Sequence, residues 1–252
     1  MNDKRENFYA LIIGTEILNG RRQDSHFEFL KNILNKNGYK FSGAFIIDDT
    51  PSLIASTISY ISNLPNSILF SFGGIGSTPD DHTREAAAIA LRDGTLHTNI
   101  KFKKRIEERI KDNPNKKPLN MANLPSGATL LPNEVNGMYG FALDDRFFFM
   151  PGFPEMSHPM VEYILETYFK DKGQKEYRYT LTALCKESEF IDLMEEAPEG
   201  VEVSSLPKIY SDGSRTTISV VSLDKSLAKK EFEKYIDFLN KNGISYGIGE
   251  GV

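Results

Sequence analysis

The chain has a single cysteine, Cys185, so it can form no intramolecular disulfide and build no thiolate metal cluster. The flanking YTLTALCKE reads as a strand, which makes Cys185 a packing residue rather than a nucleophile. The chain also lacks a surplus of positive charge. Its net charge of -5 argues against general nucleic-acid binding, which uses Lys and Arg to displace counterions. No window is apolar for the length that a membrane span needs. The N-terminal MNDKRENFYALIIGTE carries charges around only a short apolar run, so no signal peptide is expected and the expected location is the cytoplasm. His26, His97 and His158 have no H-x-x-x-H spacing and no cysteine partner, so no zinc site is expected. His82 reads as a helix-surface residue beside two acids, with a proton shuttle as the alternative. Neither the P-loop nor the G-x-G-x-x-G fingerprint occurs, which removes Walker-type hydrolysis and NAD chemistry.

What is present, over 252 residues, is enough chain for one large domain or two modest ones. FYALII, ending at Gly14, reads as a buried strand. DSHFEFLKNILNKNG puts Phe27, Leu30, Ile33 and Leu34 on one helical face, with Asp24 as N-cap and Gly38 past the C-terminus. YKFSGAFII alternates at period two, Pro51 starts another helix, and SILFSF is the third strand. This alternation predicts an α/β domain on a mainly parallel sheet with right-handed crossovers. IKFKKRIEERIKDN is an amphipathic helix whose basic residues are a solvated face, and NPNKKP is a surface loop. ATLL, GMYGFAL and RFFFM read as strands, with Phe147 to Phe149 in the core. PGFPEMSHPM then leads into a helix, and Pro151-Gly152 is either a pocket closure or a packing turn. Beyond a boundary at Lys170 to Gln174 the pattern becomes βαββαβ, a smaller α+β domain over 174–252 of ferredoxin-like or KH-like type.

Ligands of parallel sheets gather at the carboxyl ends of the strands. Three loops therefore matter: GTEILNGRRQDS, DDTP and GGIGSTPDD. In the third, Thr78-Pro79-Asp80-Asp81 reads as a capping box that opens a helix, with Thr78 as N-cap, Pro79 at N1 and Asp81 at N3. That reading leaves Gly73, Gly74 and Gly76 without a role, whereas backbone drawn close to a ligand would require them. Acids and phosphate are compatible if a divalent cation lies between them, since Mg²⁺ takes one or two carboxylates plus phosphate oxygens. Glu16 and Asp49, after the first two strands, belong to the same sheet edge, where four acids together call for a cation or a proton.

IIGTEILNG, DSHFEFLKNIL, IIDDTPSLIASTI, FSFGGIGSTPDDHTREA, LPSGATLLPN and FFFMPGFPEM resemble the molybdopterin-binding (MoaB/Mog-like) domain of CinA-type proteins. The resemblance runs to about residue 170, and the remainder resembles the small domain that follows it in CinA. It implies a three-layer α/β/α domain, a pocket for a pterin phosphate or nucleotide diphosphate, and an oligomer of identical chains. It further implies a divalent metal (Mg, Mn or Co) held by Asp49, Asp80 and Asp81, with Asp49 and Asp81 as the catalytic acids. Gly73, Gly74, Gly76, Ser77 and Thr78 would hold phosphate, and Gly14, Glu16, Asp24 and Ser25 would line the same pocket. The chain departs from the family pattern at Thr15, His26 and Ser77 and in the shortened PGFPEM. Nothing in it resembles the CinA amidohydrolase domain, so that activity is not expected.

The expected function is metal-dependent hydrolysis of ADP-ribose or a similar nucleoside diphosphate. Molybdopterin adenylylation and a non-catalytic binding module are the alternatives. The expected partner is a small-molecule nucleotide or pterin phosphate, with no nucleic acid and no membrane.

Overall fold

The computed structural model describes residues 5–111, 118–211 and 213–250. Most of NPNKKP, and the turn residue at 212, lie outside them. The chain divides into two compact units, Met1–Gly173 and Gln174–Val252.

In chain order the first unit comprises β1 (Asn7–Ile13), α1 (Thr15–Leu18), α2 (His26–Lys36), β2 (Lys40–Ile47), α3 (Pro51–Ser62) and β3 (Ser67–Phe72). It continues with α4 (Thr83–Leu91), β4 (Leu96–Thr98), α5 (Ile100–Ile110), β5 (Asn123–Pro125) and β6 (Thr129–Leu131). It closes with β7 (Gly140–Leu143), β8 (Phe147–Met150) and α6 (Pro154–Tyr168). The main sheet has the order β2-β1-β3-β8-β7-β6. The β2–β1, β1–β3 and β3–β8 neighbours are parallel, and the β7 and β6 pairings are antiparallel.

The central strands are apolar at almost every position because both faces of the sheet are covered. Along β1, Phe8, Ala10 and Ile12 enter one core with Leu30, Leu34, Met160 and Ile164. Leu11 and Ile13 enter the other, with Ile54, Ile58, Ala87 and Phe102. Helices α2 and α6 thus cover one face and α3, α4 and α5 the other, giving three layers. The chain leaves β1 for β2 on one side and returns to place β3 on the other, which makes a switch point. Four parallel strands, β2, β1, β3 and β8, therefore deliver their carboxyl ends to one edge, and the loop after β8 joins the three anticipated from sequence.

Three local expectations are corrected. Helix α4 begins at Thr83, not at Pro79. The Thr78–Asp81 box closes a turn ahead of the helix, with the Asp81 N–H donating to the Thr78 carbonyl at 3.1 Å. Helix α2 begins at His26 with Ser25 at the cap position, although Asp24 still caps it through its carboxylate. With that start, His26 points inward and Phe27 is 42% exposed.

The second unit comprises β9 (Tyr177–Ala183), α7 (Ile191–Glu195), β10 (Val201–Tyr210), β11 (Gly213–Ser222), α8 (Lys225–Asn242) and β12 (Tyr246–Ile248). Its antiparallel sheet has the order β10-β11-β9-β12, the ferredoxin-like arrangement of βαββαβ. The segment SEFIDLMEEA is helical in two short pieces, a 3-10 turn at Glu187–Phe190 and then α7. Helix α8 is capped at both ends: the Asp224 carboxylate accepts from the N–H groups of Ser226 and Leu227, and Gly243 is left-handed at φ 64°.

Candidate functional site

At the end of β1, the Gly14 N–H extends the ladder to the Ile47 carbonyl at 3.0 Å. Asp49, just past β2, then reaches the first residue of α1. Its Oδ2 accepts from the Thr15 N–H at 2.9 Å and from the Thr15 hydroxyl at 2.8 Å. A β-carbon on Gly14 would lie 2.8 Å from Oε2 of Glu16, so the glycine leaves room for that carboxylate. Glu16 faces Arg22, whose Nη1 is 3.8 Å away. Nη2 of Arg22 donates to the Gly152 carbonyl at 2.9 Å.

The loop after β3 is held from within. Gly73 has φ +100°, and a β-carbon there would lie 2.4 Å from the Ile13 carbonyl oxygen. Gly74 has φ +68°, and its β-carbon would lie 2.2 Å from the Thr83 hydroxyl. That hydroxyl donates to the Gly73 carbonyl, and the Thr83 N–H to the Gly74 carbonyl, both at 2.9 Å. At Gly76 a β-carbon would lie 2.5 Å from Oδ2 of Asp81. The same Oδ2 accepts from the Thr78 N–H at 2.8 Å and from the Thr78 hydroxyl. Each glycine thus also has an intramolecular neighbour that a β-carbon would meet, a role the capping-box reading alone did not give it. Asp80 is exposed, and hydrogen bonding with Thr78 and with its own backbone N–H holds its carboxyl below the usual range.

Two supporting residues escaped the sequence reading. Arg84, 2% exposed, turns back from α4 and donates through Nη1 to the carbonyls of Ile75 and Gly76. His26, 3% exposed, stacks on Phe72 with ring centroids 4.3 Å apart, and its Nε2 is 3.3 Å from the Gly152 carbonyl. Burial pushes its pKa down from 6.5 to about 4, against the raising effect of Asp24. His158, on α6, meets it edge-on at 5.3 Å and stacks on Phe29 at 3.8 Å. Local spacing gave no sign of either role, because the partners come from other elements.

These loops surround a cavity of about 530 Å³. Its polar lining includes Glu16, Asp49, Asp80, Asp81 and Arg22, together with the loop segment from Gly73 to Thr78. Its apolar wall includes Ile75, Met121, Met138, Tyr139, Phe153 and Met156, side chains suited to a flat ring. Of the residues expected at the site, Gly14, Asp24 and Ser25 are not in this lining. Asp24 is engaged on α2, where its carboxylate accepts from the N–H groups of His26 and Phe27 at 3.0 Å each.

Among the described residues no group of three or more His, Cys, Asp or Glu side chains is arranged to hold a metal ion. Asp49 and Asp81 are each already engaged through one carboxylate oxygen. The donor set therefore fits a cation that arrives with phosphate oxygens as its other ligands, not one caged by protein alone. No helix among the described residues is long and apolar enough to cross a membrane.

Residues 9–171 match the family model described as a probable molybdopterin binding domain. A CinA-like protein of Fusobacterium nucleatum is 31% identical over 170 residues, which cover 67% of this chain and 42% of the relative. The chain thus spans under half the length of that relative. A Pyrococcus furiosus protein aligns over 95% of this chain and 98% of its own length at 29% identity. The crystal structure of a CinA protein of unknown function from Thermoplasma acidophilum superposes with a TM-score of 0.58 at 24% identity. It covers 66% of this chain and 100% of its own, and it supports the fold of the first unit.

Proposed function

The chain belongs to the molybdopterin-binding-domain family and is of the CinA type, and from that premise we propose that its pocket hydrolyses the pyrophosphate bond of ADP-ribose or a similar nucleoside diphosphate. One observation carries this reading: four carboxylates, one guanidinium and a glycine-loop backbone share a cavity that also has an apolar wall.

The wall of Met121, Met138, Tyr139 and Phe153 takes the base, and the loop from Gly73 to Thr78 faces the phosphates with backbone dipoles. Asp49, Asp80 and Asp81 would hold a divalent cation together with the phosphate oxygens, and it would supply Lewis-acid polarisation and a more acidic water. Asp49 and Asp81 are the candidate carboxylates for accepting the proton of the attacking water. A new P–O bond then forms from that water, the bridging P–O bond breaks, and the bridging oxygen leaves on the second phosphate. AMP and ribose 5-phosphate are the products. The loop dipoles are set in advance by Arg84 and Thr83, so little reorganisation accompanies the charge that develops.

Incubation of the full chain with ADP-ribose and Mg²⁺, Mn²⁺ or Co²⁺ is expected to release AMP. Asp81→Asn is expected to lower the rate by about a hundredfold or more. If no metal yields AMP, the reading is wrong.

A further inference from the structure

A diphosphate brings at least two negative charges into a cavity whose lining already includes Glu16, Asp49, Asp80 and Asp81. Arg22 is the single Lys or Arg among the described lining residues. Besides any cation carried in with the phosphates, a guanidinium is the one positive side chain that the described lining offers to a phosphate.

Arg22 is built to meet it. A guanidinium has five N–H donors in a fixed fork that matches phosphate oxygens. In this structure one of them is engaged by the Gly152 carbonyl at 2.9 Å. Glu16 attracts the group from 3.8 Å, beyond hydrogen-bond reach, so it balances the charge without a direct hydrogen bond. The guanidinium carbon lies 5.4 Å from the centre of the Phe153 ring, and the side chain is 33% exposed. The arginine is therefore anchored by one edge to the loop after β8 and held by Glu16 at a distance that a phosphate oxygen can replace.

We infer that Arg22 binds the second phosphate of the ligand, and that it makes a diphosphate, rather than a monophosphate, the class of ligand that this pocket selects. The inference rests on the pocket being a nucleotide site, as proposed above, but it concerns binding and not hydrolysis.

The test is calorimetric titration of the full chain with ADP and with AMP in the presence of Mg²⁺. Wild type is expected to bind ADP about tenfold or more tightly than AMP. Arg22→Gln should abolish that preference and leave AMP binding nearly as it was. Arg21→Gln should keep it, since Arg21 bonds to Asn19 and is not among the cavity-lining residues. A mere structural prop would lower both affinities equally, and that outcome, or an unchanged preference, overturns the inference. Should Arg22→Gln not fold by circular dichroism, Arg22→Lys carries the test. Lysine keeps the charge without the fork, so the preference should shrink, and an undiminished preference overturns the inference. The two readings fail separately. Arg22-dependent ADP binding without AMP release from ADP-ribose sinks only the hydrolysis. AMP release from ADP-ribose with an ADP preference that survives Arg22→Gln, or a wild type that binds no ADP, sinks the present inference.

Discussion

His26 shows how much a single side chain can join. It opens α2, lies flat on the last residue of β3, and meets the Gly152 carbonyl beyond β8. Burial favours its neutral form, which ties stability to pH. Above pH 6.5 the ring is neutral whether the chain is folded or not. As pH falls from 6.5 toward about 4, the unfolded chain takes up a proton that the folded one refuses, so stability declines through that window. The full shift corresponds to a loss on the order of 3 kcal/mol. His26→Phe keeps the stack on Phe72 and removes the titration. Urea denaturation at pH 7 and pH 4 should therefore show a smaller pH-linked loss for this variant than for wild type. An equal loss in both would mean that His26 titrates normally. The sequence marked His26 as lacking a metal-ligand partner and as a departure from a family pattern. Its role depends on Phe72, Gly152 and His158, between 46 and 132 positions away along the chain.

At the scale of elements, the loop between β3 and α4 was half legible. The pairing of Thr78 with Asp81 was anticipated, because a hydroxyl and a carboxylate three residues apart can bond in any tight turn. Its placement ahead of the helix was not, since the true start is set by Thr83 bonding to Gly73 and Gly74. The glycines predict different consequences. Gly73→Ala forces a β-carbon onto the Ile13 backbone at φ +100° and is expected to cost about 2–4 kcal/mol in urea denaturation. Gly76→Ala meets only the Asp81 carboxylate, a side chain that can move. It should cost less stability than Gly73→Ala, yet weaken ADP-ribose binding by displacing Asp81 from Thr78. Equal stability losses in the two variants would contradict this account of the loop.

For the whole molecule, the two units have separate cores. In the second, Leu181, Phe190, Ile218, Val220, Tyr235 and Leu239 are fully buried within their own cluster. A fragment spanning 174–252 is expected to fold alone, with a cooperative thermal transition and dispersed amide resonances. A featureless unfolded spectrum would refute this. Sequence alone determined the alternation of strands and helices, the βαββαβ pattern and the family motifs. These are carried by apolar periodicity and short-range turn chemistry, which act over a few residues. Only the tertiary structure decided which polar groups meet. It stacked His26 on Phe72, brought Asp49 to Thr15, and brought Arg22 to Gly152 across 130 residues of chain. Such contacts follow from the order in which strands pair, because parallel strands deliver distant loops to one edge of a sheet.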